Sequence, residues 1–410
     1  MFSLDNWQEI FDTIRSNKLR TFLTGFSVAW GIFMLVVLLG SGNGLANAVE
    51  YQFRDDAINS IWIRSGQTSL PHQGLKPGRD VRFTNRDYDR IREEVEGVEH
   101  STARYYIDGN VVVSYREESG SYNIRSVHPG HRYLEKTEIV SGRYLDRLDL
   151  EEHRKVAVVG VGVRETLFDD RDPIGEYLEV NGIAFKVVGV FEDAGGEGEE
   201  ARIYLPITTA QRTFGGRDQV EQIMYTTGDA GLEASQRMAE ESRLLLATRH
   251  RFAPDDPRAV FVRNNNEEFH RFQELMRGIR LFVWIIGVGT LLAGVVGVSN
   301  ILMIAVRERT KEIGVRKALG ATPGSILGLV LQESVLITAV AGYVGLVMGV
   351  FLLETVSANL PEAAFFRNPE VDLRVALWAT ALLVAAGAVA GYFPARKAAR
   401  IRPIEALRDE

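Results

Sequence analysis

The distribution of charge along this chain, more than its amount, limits what it can fold into. It carries 47 basic and 54 acidic residues, yet the stretches 21–49, 281–306, 318–353 and 375–395, together 112 residues, hold a single charge, Glu333. Buried elements of a water-soluble domain are short and amphipathic, whereas an uncharged run of about 20 residues is what a helix needs to cross about 30 Å of hydrocarbon. A soluble enzyme is therefore excluded. The sequence predicts an α-helical membrane protein with four transmembrane helices plus a large extracytoplasmic α/β domain.

Basic residues flanking the spans set their orientation. Arg15, Lys18 and Arg20 precede the first run; Arg307, Arg309, Lys311, Arg316 and Lys317 separate the second from the third; Arg396, Lys397, Arg400, Arg402 and Arg408 follow the fourth. Between the third and fourth runs, Arg367 and Arg374 face Glu354, Glu362, Glu370 and Asp372. This bias predicts a cytoplasmic amphipathic segment at 1–20, transmembrane helix 21–49 and an extracytoplasmic domain at 50–280 ending in a stalk helix. Transmembrane helix 281–306, a cytoplasmic segment at 307–324 and transmembrane helix 325–353 follow. A short external loop at 354–374, transmembrane helix 375–395 and a cytoplasmic tail at 396–410 complete the order. The run Phe22 to Leu39 is too long for a signal-peptide core and Gly40 to Gly44 offers no clear A-x-A site, so the first span is read as uncleaved. The absence of cysteine removes disulfides, Cys-based zinc sites and thiol nucleophiles.

Segment 50–280 has 32 basic and 41 acidic residues, so most of the chain's net charge of −7 belongs to it and none of it argues for nucleic acid. It reads as one or two α/β lobes. Thr84 caps a helix over Asn85 to Val95 that Gly97 ends. Val111 to Val113, Lys155 to Val159 and Ile203 to Leu205 are short strands, and Asn181-Gly182 predicts a type I′ hairpin. The Gly-rich acidic stretch Ala194 to Glu200 is expected to be a mobile loop. Gly160-Val161-Gly162 follows a strand as a dinucleotide loop would, but Glu165 occupies the third glycine position and its charge opposes a pyrophosphate. His128-Pro129-Gly130-His131 has no Cys or carboxylate triad beside it and is read as a turn with two solvated histidines, not a metal site. No G-x-x-x-x-G-K-[ST], H-E-x-x-H or G-x-S-x-G string occurs, so no ATP hydrolysis by a P-loop and no hydrolase chemistry is expected of these residues.

Phe269, Phe272, Leu275, Met276 and Ile279 keep a helical spacing that runs without proline into the second span, predicting a helix of about 60 Å at ~1.5 Å per residue. Small residues recur every four positions: Gly289, Ala293 and Gly297 in the second span, Ala341, Gly345 and Gly349 in the third, Gly387 and Gly391 in the fourth. Such stripes are expected to be helix-packing surfaces. Glu333 lies about two turns into the third span, where a neighbouring helix can satisfy it; no second intramembrane charge exists to complete a proton relay.

The string Arg307-Glu308-Arg309-Thr310-Lys311-Glu312-Ile313-Gly314-Val315-Arg316-Lys317-Ala318-Leu319-Gly320-Ala321 resembles the cytoplasmic coupling segment of MacB/FtsX-type ABC transporter permeases. Leu19 to Thr24 with Gly40 to Gly44, Asp172 to Gly175 followed by Phe185 to Val190, Tyr204-Leu205-Pro206 with Thr208 to Gln211, and the tail Pro394 to Ala399 with Pro403 to Leu407 extend the likeness over nearly the whole chain. On its own chemistry the string has an apolar face at Val315, Ala318 and Leu319, Gly314 for close approach, and alternating charges from Arg307 to Glu312 that can pair across a polar interface. Gly320 stops the helix and Thr322-Pro323 starts the next.

The resemblance implies that 307–320 couples the permease to an ATPase on a separate subunit, which binds ATP and magnesium; this chain then has no catalytic, cofactor or metal residues and is not itself an enzyme. It further implies a multi-pass bacterial inner-membrane protein with both termini cytoplasmic, working as a homodimer or related heterodimer. Its expected task is export of a drug, peptide or lipid-like substrate from the periplasmic side, with an adaptor protein and outer-membrane channel as further partners beside membrane lipid. FtsX-like signalling to a cell-wall hydrolase and lipoprotein release are the alternatives.

Overall fold

The computed structural model describes residues 18–52, 56–169, 171–193, 197–359, 367, 369 and 373–402. The chain divides into two compact units, one formed by Tyr51–Glu274 and the other by Met1–Glu50 with Leu275–Glu410.

The first unit is built on a twelve-stranded mixed sheet. From one edge its strands are Val260–Asn264, Ser60–Ser65, Gln222–Thr226, Ser101–Tyr105, Asn123–Val127, Arg202–Pro206, Val156–Gly160, Ile183–Glu192, Tyr177–Val180, Val112–Tyr115 and Glu118–Ser121. Glu138–Gly142 pairs with the far half of Ile183–Glu192, where the register shifts between Val190 and Phe191. Helices Asn85–Glu94 and Leu232–His250 cover one half, where Ile61, Ile63, Tyr88, Ile91, Tyr225 and Phe252 form a core. Helix Val161–Leu167 covers the other half, over Ala157, Val159, Leu178, Phe185, Val187 and Leu205. The capping box at Thr84 forms, with Thr84 N–H donating to Asp87 Oδ2 at 2.8 Å. Asn181 and Gly182 both take positive φ (47° and 77°) and close the hairpin Ile183↔Val180, as an I′ turn requires.

The second unit is helical: Lys18–Gln52, Asn265–Glu308 from Leu275 onward, Thr310–Ala318, Pro323–Asn359 and Leu373–Ala399. Three of them, over Thr21–Val49, Asn265–Glu308 and Pro323–Asn359, are long and apolar enough to cross a membrane. The 44-residue helix Asn265–Glu308 is unbroken, which at ~1.5 Å per residue is about 66 Å. Val28, Ile32, Val36, Val298, Leu302, Ala341, Leu353 and Ala390 meet at the centre of the bundle. Large apolar side chains such as Phe22, Phe26, Trp30, Leu281, Phe282 and Ile285 point outward, the inverse of a soluble bundle and suited to lipid tails.

Small residues set the close approaches. A Cβ at Gly345 would lie 2.2 Å from the Ala29 carbonyl oxygen, and one at Gly349 2.7 Å from Val36. Gly387 and Gly391 face Thr338 and Ser334, and Ser334 Oγ donates to Gly387 O at 2.7 Å. Ala341 is buried at the centre. The second-span stripe is different and corrects the expectation: Gly289 and Gly297 have nothing within 4 Å, and Ala293 is exposed. It is Gly287, against Leu35, and Gly294, against Val28, that face the bundle. Both sets have helical spacing; which one turns inward is decided by the helix's rotation about its axis.

Candidate docking site

Three places in the sheet unit hold the chemistry a ligand site needs, and each is closed. At Gly160, a Cβ would sit 1.9 Å from the Glu200 carbonyl oxygen, so backbone fills the space a pyrophosphate would take. Of the stretch expected to be a mobile loop, 194–196 lie outside the described residues, while Glu197–Glu200 is a short helix beside Val161–Leu167. His131 is not solvated and His128 is half-buried, which corrects the sequence reading of two solvated histidines. His128 accepts a hydrogen bond from Ala103 N–H at 3.0 Å on Nδ1 and stacks on Tyr88 at 4.2 Å; burial pushes its pKa down to about 3. His131 is fully buried, and burial holds it well below the usual histidine range.

His131 belongs to a buried ion network that no sequence motif announces. Arg104, Arg125 and Arg202 stand on three neighbouring central strands and converge on Glu135, which is 5% exposed. Arg104 pairs with Glu135, Arg125 Nη1 donates to Glu135 Oε2 at 2.6 Å, Tyr204 OH donates to the same oxygen at 2.9 Å, and Arg202 pairs with Glu199. Arg104 Nε also donates to His131 Nε2 at 3.2 Å. Burial pushes the Glu135 carboxyl up, but the charges of Arg104, Arg125 and Arg202 outweigh it and hold it well below the carboxylate range. Glu135, Asp193 and Glu199 bring oxygens within 4.8 Å of one another, a spacing that could hold a cation. Three guanidiniums already supply the positive charge there, so the grouping is a structural tie across the sheet.

Two open features of the helical unit bear on ligand binding and docking. One is a cavity of about 630 Å³ lined by Leu35, Leu39, Met276, Ile279, Val283 and Trp284, with Asn43 and Arg280 as its polar members.

The other is the short helix Thr310–Ala318. Arg307 and Glu308 end the long helix and Arg309 is the single residue between the two. Ile313 and Gly314 are its buried positions; Ile313 packs with Val306, Ile326, Val330, Ala395 and Ala398. Lys311, Glu312, Val315, Ala318, Leu319 and Gly320 are exposed, Val315 by 45% and Leu319 by 84%, while Arg316 and Lys317 are half-buried. Gly320 has φ 102°, its N–H donates to Lys317 O at 3.1 Å, and Ala321 N–H donates to Arg316 O at 3.0 Å, closing the helix as a left-handed C-terminal cap does. Pro323 then begins the next helix, with Ser325 N–H donating to Thr322 Oγ1 at 3.3 Å.

Two charges of the expected coupling segment turn inward, one of them, Arg309, from the run Arg307 to Glu312 expected at a polar interface. Arg309 Nη1 lies 3.6 Å from Glu333 Oε2, and Lys317 Nζ donates to Ala399 O and Ile401 O at 2.7 and 2.8 Å. A neighbour that answers Glu333 is thus Arg309, the residue that joins the long and short helices. The apolar trio Val315, Ala318 and Leu319 faces outward at the end of a helix whose opposite side is fixed. Burying such a face is favourable, about 25 cal/mol per Å² of apolar surface removed from water.

Residues 21–241 match the MacB-like periplasmic core domain, and residues 284–403 match the FtsX-like permease C-terminal domain. The chain is 29% identical over 405 residues to the macrolide export ATP-binding/permease protein MacB of Chlorobaculum tepidum, covering 98% of this chain and 61% of that protein. It is 27% identical to the MacB of Bdellovibrio bacteriovorus, covering 99% and 62%; the chain therefore spans about three fifths of the length of these relatives. An uncharacterised ABC transporter permease of Methanocaldococcus jannaschii is 27% identical, over 98% of this chain and 96% of its own. Among solved structures, the periplasmic region of MacB from Actinobacillus actinomycetemcomitans aligns with 55% of this chain and 98% of its own at 16% identity and a TM-score of 0.45.

Proposed function

The chain belongs to the MacB/FtsX-type permeases, and on that premise we propose that it is the permease part of an ABC transporter driven by an ATPase that lies outside these 410 residues, on a separate subunit. In this reading ATP and magnesium are bound there, and the exposed Val315, Ala318 and Leu319 face docks on that ATPase. Leu373–Ala399 is the fourth span, both ends of the chain and the short helix are cytoplasmic, and the sheet unit is outside the inner membrane. The 44-residue helix carries movement between the docking site and the sheet unit, in a dimer of permeases. The substrate class is drug-, peptide- or lipid-like and taken from the outer side; the apolar cavity with Arg280 as its cation suits an amphiphile, being of a size that ordinary ligand pockets have.

The observation that carries the reading is an apolar trio left 45–84% exposed at its large members on a helix otherwise locked to its bundle. Leu319→Asp places a charge in that face, which costs several kcal/mol where the face becomes buried against a partner. Expression and membrane insertion are expected to persist while ATPase binding and its transport-linked turnover are lost; Arg396→Ala, equally basic and exposed, is the control expected to retain both. Unchanged complex formation and turnover in Leu319→Asp would refute the docking role.

A further inference from the structure

The break at Arg309 leaves one non-helical residue, φ −95° and ψ 15°, between the long helix and the short one. Backbone bonds from Arg309 N–H to Ala305 O and from Ile313 N–H to Arg309 O cross the break, and contacts beyond the backbone, two polar and one apolar, seat the short helix on its neighbours. At its start, Arg309 reaches Glu333, the one charge of 318–353 and 7% exposed. At its end, the Lys317 ammonium meets the carbonyls of Ala399 and Ile401, where the last helix finishes. Between them Ile313 is buried against both of those helices. Arg309, Glu312, Arg316 and Glu333 border a cavity of about 30 Å³, room for a bridging water in a polar setting.

Each contact has a chemical reason. A carboxylate inside a span is costly unless it is paired, and unsatisfied carbonyls at a helix C-terminus carry partial negative charge that a lysine answers. We infer that Arg309–Glu333 and Lys317 with the Ala399 and Ile401 carbonyls are two latches that make the short helix part of the Pro323–Asn359 and Leu373–Ala399 pair. Glu333 is a positioning residue for coupling. The inference rests on the docking reading for its consequence: force applied at Leu319 enters the two latched helices directly, besides the long helix through the backbone. The latches themselves concern this chain alone.

The chain's lack of cysteine allows a direct test in the full-length protein in nanodiscs. Nitroxides at Lys311→Cys, on the exposed side of the short helix, and Val340→Cys, exposed on Pro323–Asn359, report the distance between them by electron–electron double resonance. With the doubly labelled chain diluted into unlabelled chain, so that one protomer of a dimer carries both nitroxides, the parent is expected to give one narrow distance, Glu333→Gln and Lys317→Met each to lose it, and Arg309→Lys, which keeps the charge, to retain it. A latch whose variant keeps the parental distribution is overturned; Lys317→Met, remote from the apolar run, gives a second measurement should Glu333→Gln insert poorly. Added ABC ATPase subunit separates the two readings. Glu333→Gln is expected to bind it as the parent does but no longer to change ATP turnover, whereas Leu319→Asp is expected to keep the narrow distance and lose binding. Binding that survives Leu319→Asp while the distances still respond to the latch variants refutes docking and leaves the latches standing.

Discussion

Arg104, Arg125 and Arg202 share Glu135 at the middle of the sheet, with Glu199 as a second carboxylate beside Arg125 and Arg202, so two carboxylates balance guanidiniums that come from three strands. Removing one partner of a buried pair strands the others, typically at about 3–5 kcal/mol. Glu135→Gln is therefore expected to lower the stability of the sheet unit by that order, read from Trp62, which lies under Arg104 at 5.3 Å, with the other tryptophans replaced by Phe. Acid should do the same to the parent. The Glu135 and Asp87 carboxyls are held below their ordinary values in the fold, so their contribution is present above the unfolded carboxylate range and is lost as pH falls from there through their lowered folded values. His128 is held at about 3 against 6.5, so the unfolded chain takes up its proton first, and stability falls from about pH 6.5 downward. All these groups act with one sign. A Trp62 unfolding midpoint independent of pH between 7 and 4 would contradict this account. None of the network was legible in advance: each arginine looks like an ordinary polar position of its strand, and Glu135, which all three share, lies outside those strands.

At the level of helices, what could be read was their existence and approximate ends, because apolar length in one dimension is the signal. Their rotation could not be read. The helix Asn265–Glu308 carries Gly287 and Gly294 on one side and Gly289, Ala293 and Gly297 on another, each with helical spacing, and only contact with Leu35 and Val28 distinguishes them. The distinction predicts a pair of outcomes. Gly345→Ala forces the first and third helices apart at the Ala29 carbonyl and should cost about 1–3 kcal/mol. Gly289→Ala, into open space, should be neutral or slightly stabilising through helix propensity. Thermal denaturation of the purified chain in detergent compares them; equal midpoints for both would mean that the 2.2 Å approach at Gly345 is not a packing constraint.

For the whole molecule, the proposed transport cycle depends on which side each segment faces. The charge bias predicts His100 and Glu200 outside and Val315 inside. Single cysteines at these positions in intact cells should react with an impermeant thiol reagent at 100 and 200 only, and at 315 after the membrane is opened. Labelling of 315 from outside would invert the topology and remove the docking proposal with it.

Three of the four expected spans, the division into an apolar and a charged half, and the family likeness of 307–321 were available from the sequence, because each depends on residues that are close along the chain. Hydrocarbon thickness and helix rise turn a run of apolar residues into a length, and no fold is needed to count it. The tertiary structure decided everything that depends on residues distant along the chain. Arg309 and Glu333 are separated by a helix and a turn, and they meet because Ile313 seats the short helix against Ile326 and Val330. His131 loses its water, and His128 part of its own, because Tyr88, Ala103 and Arg104 are brought over them. The inward turn of Gly287 is set by the shape of its neighbours. Burial and rotation are properties of packed surfaces, and a sequence specifies them only after its elements have come together.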